Sequence, residues 1–158
     1  MIRHSWPVTD AARNPYLICW LGLTLSRFWR GFTEEIMEKI INDYFAGINA
    51  LDADAWLSTF APDATSHEPG QPPLTGHDAL RAFFNGVAGG FSSLHFNADE
   101  VFAVGPEAAV KWSAHGTGHN GKEATFAGID VFTVNDAGLI TTLRAYWNPA
   151  AMMAQLMG

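Results

Sequence analysis

The spacing of the apolar residues changes once along this chain, at the dipeptide Gly89-Gly90. Before it, apolar side chains recur every three to four residues, which predicts a helix capped by Thr33, a shorter helix after Asp52 and a third over residues 77–87. After it, β-branched and aromatic residues form four runs separated by turn residues, which predicts antiparallel strands. Helices followed by such a meander indicate an α+β domain in which three helices cover one face of a bent sheet.

Length and composition narrow the classes of function. A chain of 158 residues matches one domain with one core. The net charge of −7, with no cluster of Lys and Arg beyond residue 32, argues against nucleic acid as a partner. With 48% apolar and 13% aromatic residues, the composition favours a small uncharged or hydrophobic ligand. The single cysteine, Cys19, excludes an internal disulfide and a cysteine-based zinc site, and this is typical of the reducing cytoplasm.

Residues 1–32 differ in charge from the rest of the chain. They carry four arginines and one aspartate, 4 − 1 = +3, whereas residues 33–158 carry 5 − 15 = −10. Their apolar run at 16–25 is too short to span a bilayer, so no stable membrane insertion is expected. It is compatible with a poorly ordered or dispensable extension, with an extra helix on the domain or a membrane surface, and with a weak export signal. We favour the extension, because the patterned domain of residues 33–158 needs nothing upstream.

The run AGIDVFTV at 127–134 sets a carboxylic acid, Asp130, in the middle of an apolar strand. A buried carboxylate must find a partner, stay protonated or face water. An ion pair is one explanation, and a functional pocket is the other. Taken alone, Tyr44 fits an ordinary core tyrosine and Glu68 fits an exposed loop residue. Asp130 is therefore the strongest functional candidate from the residues themselves.

Three stretches, in this order, resemble a known family: DYFAGINALDAD, DATSHEPGQPPLTG and GIDVFTVNDAGLITTLRAYW. They are similar to the bacterial Δ5-3-ketosteroid isomerases of the nuclear transport factor 2-like superfamily, over about residues 36–148. The resemblance implies a cone-shaped, cystatin-like α+β fold, with three helices packed on a curved antiparallel or mixed sheet that encloses a pocket. Polyketide-cyclase-like relatives share this fold.

The resemblance also assigns catalytic roles. Tyr44 would be one donor of an oxyanion hole, Asp130 the second, and Glu68, which precedes a proline, the catalytic base. The isomerases carry aspartate at the position of Glu68, and the extra methylene moves the carboxylate by about one C–C bond. The expected substrate-binding residues are Trp147, which would pack on the ligand rings, and Trp56, Phe84, Ser113, His115 and Phe132.

The implied activity is the isomerisation of a steroid-like 3-ketone from Δ5 to Δ4 through a dienolate, by a homodimer that acts on a small hydrophobic ketone. Such chemistry needs neither metal nor cofactor. His115 and His119 have i, i+4 spacing, but on a strand this spacing does not converge on a metal. The alternatives are a polyketide-cyclase-like or epoxide-hydrolase-like enzyme with Asp130 and His115 as acid and base, and a non-catalytic binding or dimerisation module.

The hairpin at 120–121 decides whether Asp130 has a cationic neighbour. A two-residue turn pairs residues whose numbers sum to 241, which places Lys111 opposite Asp130 on the same face. Lys111 would then keep Asp130 ionised, and an ionised carboxylate cannot donate a hydrogen bond. A β-bulge within residues 116–118 would instead turn Lys111 outward. The sequence is compatible with both registers.

Overall fold

Four helices and six strands make up the part of the chain that the structure describes. The computed structural model describes residues 34–158, so Thr33 and the predictions for residues 1–32 lie outside the described residues. The helices are α1 over residues 34–49, α2 over Ala53–Leu57, α3 over Gly76–Ala88 and α4 over Pro149–Met157. The strands are β1 over Phe60–His67, β2 over Leu74–Thr75, β3 over Phe91–Val104, β4 over Glu107–Gly118, β5 over Glu123–Val134 and β6 over Ile140–Trp147.

The sequence analysis predicts three of these helices and misses α4. This helix begins after Asn148, whose side-chain oxygen accepts a hydrogen bond from the backbone N–H of Ala151 at 3.0 Å, and Pro149 occupies its first turn. Met152 and Leu156 pack beneath α4 on the domain. None of the helices within residues 34–158 is long and apolar enough to cross a bilayer.

All six strands belong to one mixed sheet in the order β2-β1-β6-β5-β4-β3. The predicted antiparallel meander is confirmed from β3 to β6, since each of these strands pairs with the next. Strand β1 runs parallel to β6, with Ser66 opposite Leu143, and so brings Glu68, just beyond the end of β1, alongside β6. Two register shifts between β3 and β4 bend the long outer strand, and this curves the sheet around the helices.

The β4–β5 hairpin corrects the predicted two-residue turn. Gly118 pairs with Lys122, so the loop has three residues and the register sums to 240, with Val110 opposite Asp130. Gly121 ends the loop at a φ of 79°, which only glycine adopts without strain. Lys111 therefore points away from Asp130 and binds Glu100 on the outer face of the sheet, Nζ to Oε1 2.6 Å. No bulge interrupts this strand pair, so the outward orientation of Lys111 predicted by the second register is correct, but it arises from the three-residue loop and not from a bulge.

The helices bury their apolar faces against the concave side of the sheet. Tyr44 of α1, Trp56 of α2 and Phe84 of α3 all belong to one core cluster. Gly47 allows α1 and α2 to approach closely, because a Cβ there would lie 2.7 Å from the backbone nitrogen of Trp56. This contact fixes the Trp56 indole beside the Tyr44 ring, with centroids 5.9 Å apart.

Candidate active site

A cavity of about 70 Å³ lies between the concave face of the sheet and helices α1 to α3. We call it the inner cavity. Most of its wall is aromatic or aliphatic, and its ionisable groups are Tyr44, Glu68 and Asp130. The remaining lining residues are Ile48, Trp56, Phe83, Phe84, Val87, Ala88, Leu94, Phe96, Trp112, Phe126, Ala145 and Trp147.

A second depression of about 540 Å³, the outer groove, runs between the loop after β1 and helices α3 and α4. The inner cavity and the outer groove share Glu68, Phe83, Val87 and Trp147, so they are contiguous. Pockets for small organic ligands usually measure roughly 300–1,000 Å³, which the inner cavity alone does not reach. The geometry therefore fits a ligand whose polar end enters the inner cavity while its apolar body lies in the outer groove.

Tyr44 and Asp130 form a hydrogen-bonded pair at the closed end of the inner cavity. The Tyr44 hydroxyl donates to Oδ2 of Asp130 at 3.2 Å. Burial raises the pKa of Tyr44 well above its ordinary value, with the nearby Asp130 and Glu68 carboxyls adding to the effect, so the phenol keeps its proton. Phe132 packs edge-on against the Tyr44 ring at 5.1 Å and is fully buried. Its predicted role in binding substrate is wrong, because it lies behind Tyr44 and does not line the cavity.

Asp130 is 3% exposed, and no cation within residues 34–158 is among the groups that act on its pKa. Burial raises the pKa of Asp130 to about 7, the Trp112 indole and the Tyr44 hydroxyl oppose this rise, and the charge of Glu68 adds to it. Within residues 34–158, Oδ1 and the Trp112 N–H each lack a hydrogen-bond partner within normal limits, although the N–H is close enough to act on the carboxyl. Near neutral pH, Asp130 can therefore carry a proton and act as a donor.

Glu68 is held at the junction of the inner cavity and the outer groove. Ser66 Oγ donates to its Oε1 at 2.9 Å, and Trp147 Nε1 donates to its Oε2 at 3.2 Å. Burial raises the pKa of Glu68, and these two donors oppose that rise. The result is a fixed carboxylate in a poorly solvated place, which is the environment of a general base.

The structure separates the other predicted residues into two groups. Trp56, Phe84 and Trp147 line the inner cavity. The prediction for Ser113 and His115 is wrong, because the corrected register turns both side chains away from Asp130. Ser113 Oγ donates a hydrogen bond to Asp99 at 2.9 Å. His115 Nε2 lies 3.8 Å from the Glu123 carboxylate. An acid–base pair of Asp130 with His115 is thus not formed. Within residues 34–158, no three His, Cys, Asp or Glu side chains come together as a metal site.

Several apolar lining residues and two hydrogen-bonding side chains, those of Ser66 and Trp112, were not predicted as site residues from the sequence. Ala64, Ser66 and Glu68 lie on the same buried face of β1 and its extension. Strict alternation in DATSHE could therefore have predicted that Ser66 lies next to Glu68. Trp112 gave no comparable signal, because its access to the cavity depends on the register that a three-residue loop sets.

Comparison with known proteins identifies the family of the chain. Residues 41–143 match the family model of the SnoaL-like domain. The steroid Delta-isomerase of Nocardioides simplex is 34% identical over 100 residues, which are 63% of this chain and 79% of that protein. The solved Δ5-3-ketosteroid isomerase of Mycobacterium sp. is 29% identical, with a TM-score of 0.64 over 74% of this chain and 96% of the other. The epoxide hydrolase/cyclase-like enzyme SalBIII, of pyran ring formation in salinomycin, is 26% identical, with a TM-score of 0.66 over 75% and 95%. The cone-shaped α+β fold is confirmed, and the chain belongs to the SnoaL-like family of the nuclear transport factor 2-like fold.

Proposed function

We propose that the protein is an isomerase that moves the C=C bond of a steroid-like 3-ketone from Δ5 to Δ4 by intramolecular proton transfer. The observation that carries this proposal is the meeting of a Tyr44–Asp130 donor pair with a buried carboxylate, Glu68, in one apolar cavity. The 34% identity to a steroid Delta-isomerase supports the same class of reaction. No feature of the cavity requires a charged substrate.

The reaction follows from the positions of these groups. The ketone oxygen enters the inner cavity and accepts hydrogen bonds from the Tyr44 hydroxyl and from protonated Asp130. Glu68 takes the proton from the carbon between the carbonyl and the double bond, and the electron pair moves onto the oxygen to give a dienolate. The protonated Glu68 then returns the proton two carbons along the conjugated system. The carbonyl is restored, and the substrate gains and loses no atoms.

The apolar wall contributes to this chemistry by excluding water. Donors aimed at a developing oxyanion stabilise it far more in a dry site than in water, where solvent competes for the same lone pairs. The same dryness keeps the proton on Asp130, because its ionised form is poorly solvated. The same apolar environment therefore keeps Asp130 protonated as a donor. Glu68 is the group that ionises, because it accepts two hydrogen bonds that stabilise its charged form.

The direct test is turnover of 5-androstene-3,17-dione. We expect the absorbance of the conjugated enone to grow faster than in buffer alone, in proportion to protein concentration, because the protein supplies both base and donors. Circular dichroism on the same sample establishes that the protein is folded. A folded protein that gives the buffer rate would rule out the proposed isomerase.

The pH dependence of kcat/KM is expected to be bell-shaped. Activity should rise as Glu68 ionises, above the ordinary glutamate value of 4.5, and fall as Asp130 loses its proton near pH 7. In Asp130→Asn the side chain stays neutral, so the fall on the alkaline side near pH 7 should disappear while the acidic limb remains. An alkaline limb unchanged in this variant would show that another group is responsible.

A non-catalytic binding module remains the competing proposal for the same pocket. It predicts that apolar ligands bind without turnover and that Tyr44→Phe leaves their affinity unchanged. The isomerase predicts a lower kcat in Tyr44→Phe, because that change removes a donor to the dienolate and leaves the ring and its packing in place. Comparing kcat with ligand affinity in this one variant separates the two.

A further inference from the structure

Within residues 34–158, three buried side-chain atoms lack a hydrogen-bond partner, and all three belong to the inner cavity. They are Nε1 of Trp56, Nε1 of Trp112 and Oδ1 of Asp130. Buried polar atoms are nearly always paired, because leaving one unpaired destabilises the fold. A polar ligand atom bound in this one apolar cavity would supply the missing partner.

Strand pairing sets the orientation of Trp112. It lies opposite Gly128 on β4, and the next position on the same face, Val110, lies opposite Asp130. A Cβ at Gly128 would come within 2.5 Å of Cζ2 of Trp112 and 2.8 Å of Cβ of Trp147. Because Cζ2 belongs to the same edge of the indole as the N–H, this edge lies over β5, beside Asp130. The missing side chain at Gly128 is what makes room for it.

Aromatic contacts hold the Trp112 ring in this orientation. Phe96 lies 4.8 Å from it and Phe126 meets it nearly at right angles at 6.0 Å, measured between ring centroids. The indole is only 3% exposed, so water does not solvate its N–H from the surface. The indole N–H opposes the rise in the pKa of Asp130, which agrees with the orientation that strand pairing and Gly128 give the ring.

We propose that Trp112 Nε1 is a third hydrogen-bond donor to the oxygen of the ligand, beside the Tyr44 hydroxyl and the Asp130 carboxyl. This assignment rests on the proposed function for the identity of that oxygen as a ketone or dienolate oxygen. An enolate oxygen has enough lone pairs to accept three hydrogen bonds. The indole N–H is a donor only and does not ionise, so it continues to donate at pH values at which Asp130 loses its proton.

The test uses two probes of the same shape, 2-naphthol and naphthalene, which differ by one hydroxyl group. Trp112 is replaced by benzothienylalanine, an analogue of nearly the same size with sulfur in place of the N–H. We expect the preference for 2-naphthol over naphthalene to fall about tenfold, which corresponds to one net hydrogen bond. Naphthalene affinity itself should change little, because the aromatic surface is retained.

The matched control is Phe126→Leu, which disturbs the packing around Trp112 without removing a donor. It should weaken both probes by similar factors and leave their ratio in place. An unchanged ratio in the Trp112 analogue, an equal fall of the ratio in the control, or a wild-type protein that does not prefer 2-naphthol would each overturn the proposal. This binding test measures no turnover. If the protein failed to form the enone, that failure would count against the proposed isomerase but would not change what the binding test says about Trp112.

Discussion

Glu68→Gln is expected to lower kcat about 10²–10⁴-fold, the range that a positioned general base contributes. Glutamine has the size of glutamate, so the side chain remains buried at the junction of the two pockets. Its amide cannot take the proton from the substrate. The amide nitrogen of glutamine also cannot accept a hydrogen bond, so one of the two hydrogen bonds that Ser66 and Trp147 donate to the side chain is lost. Single-turnover and steady-state measurements with 5-androstene-3,17-dione measure the decrease in kcat.

Glu68→Asp is the matched variant for this experiment. It keeps the carboxylate and moves it by about one C–C bond, so it should retain more activity than Glu68→Gln. Binding of 2-naphthol should persist in both variants, because the donors at Tyr44 and Asp130 are untouched. A Glu68→Gln enzyme within about threefold of the wild-type kcat, with substrate binding unchanged, would show that another group removes the proton.

That Tyr44, Glu68 and Asp130 lie together could be predicted from sequence, because each one breaks a local pattern or matches a family motif. Asp130 interrupts an apolar strand, and the structure buries it next to Tyr44, which the helical stripe of α1 directs toward the sheet. The succession of helices and strands was predictable for the same reason, since periodicities of 3.6 and 2 residues are local properties.

The errors about Ser113 and His115, and the undecided position of Lys111, depend on one residue in one loop. Because strand side chains alternate, a register shift by one residue reverses the face of every position, and this moved Ser113 and His115 out of the pocket and Lys111 away from Asp130. Asn-Gly is compatible with loops of two and of three residues, so the sequence did not fix the choice. The Trp112 contact required in addition that Gly128 lie across the strand from it, which is a non-local property.

Asp130→Asn is expected to have a higher free energy of unfolding than the wild type, and this difference is expected to grow as the pH increases. The pKa of Asp130 is raised from 3.8 to about 7 by burial, so the stability that its protonated form contributes is fully present below about pH 3.8 and is lost as the pH rises through 7. Asparagine is neutral throughout and has nearly the same shape. At 1.36 kcal/mol for each pKa unit, the difference in stability should grow by up to about 4 kcal/mol between pH 3.5 and pH 8.

Urea unfolding at a series of pH values and one protein concentration measures this difference. Glu68 titrates in both proteins, and because its charge is one cause of the raised pKa of Asp130, the measured difference includes the coupling between the two carboxyls. Asp136→Asn, in the exposed turn before β6, removes one negative charge in a solvated place and should follow the wild-type curve. If the curves of Asp130→Asn and wild type are parallel, Asp130 has its ordinary pKa of 3.8 in the folded protein, is ionised at neutral pH and cannot serve as an oxyanion donor there. A widening difference would show that the fold holds a protonated carboxyl at the expense of its own stability at neutral pH, as a donor site in an apolar cavity requires.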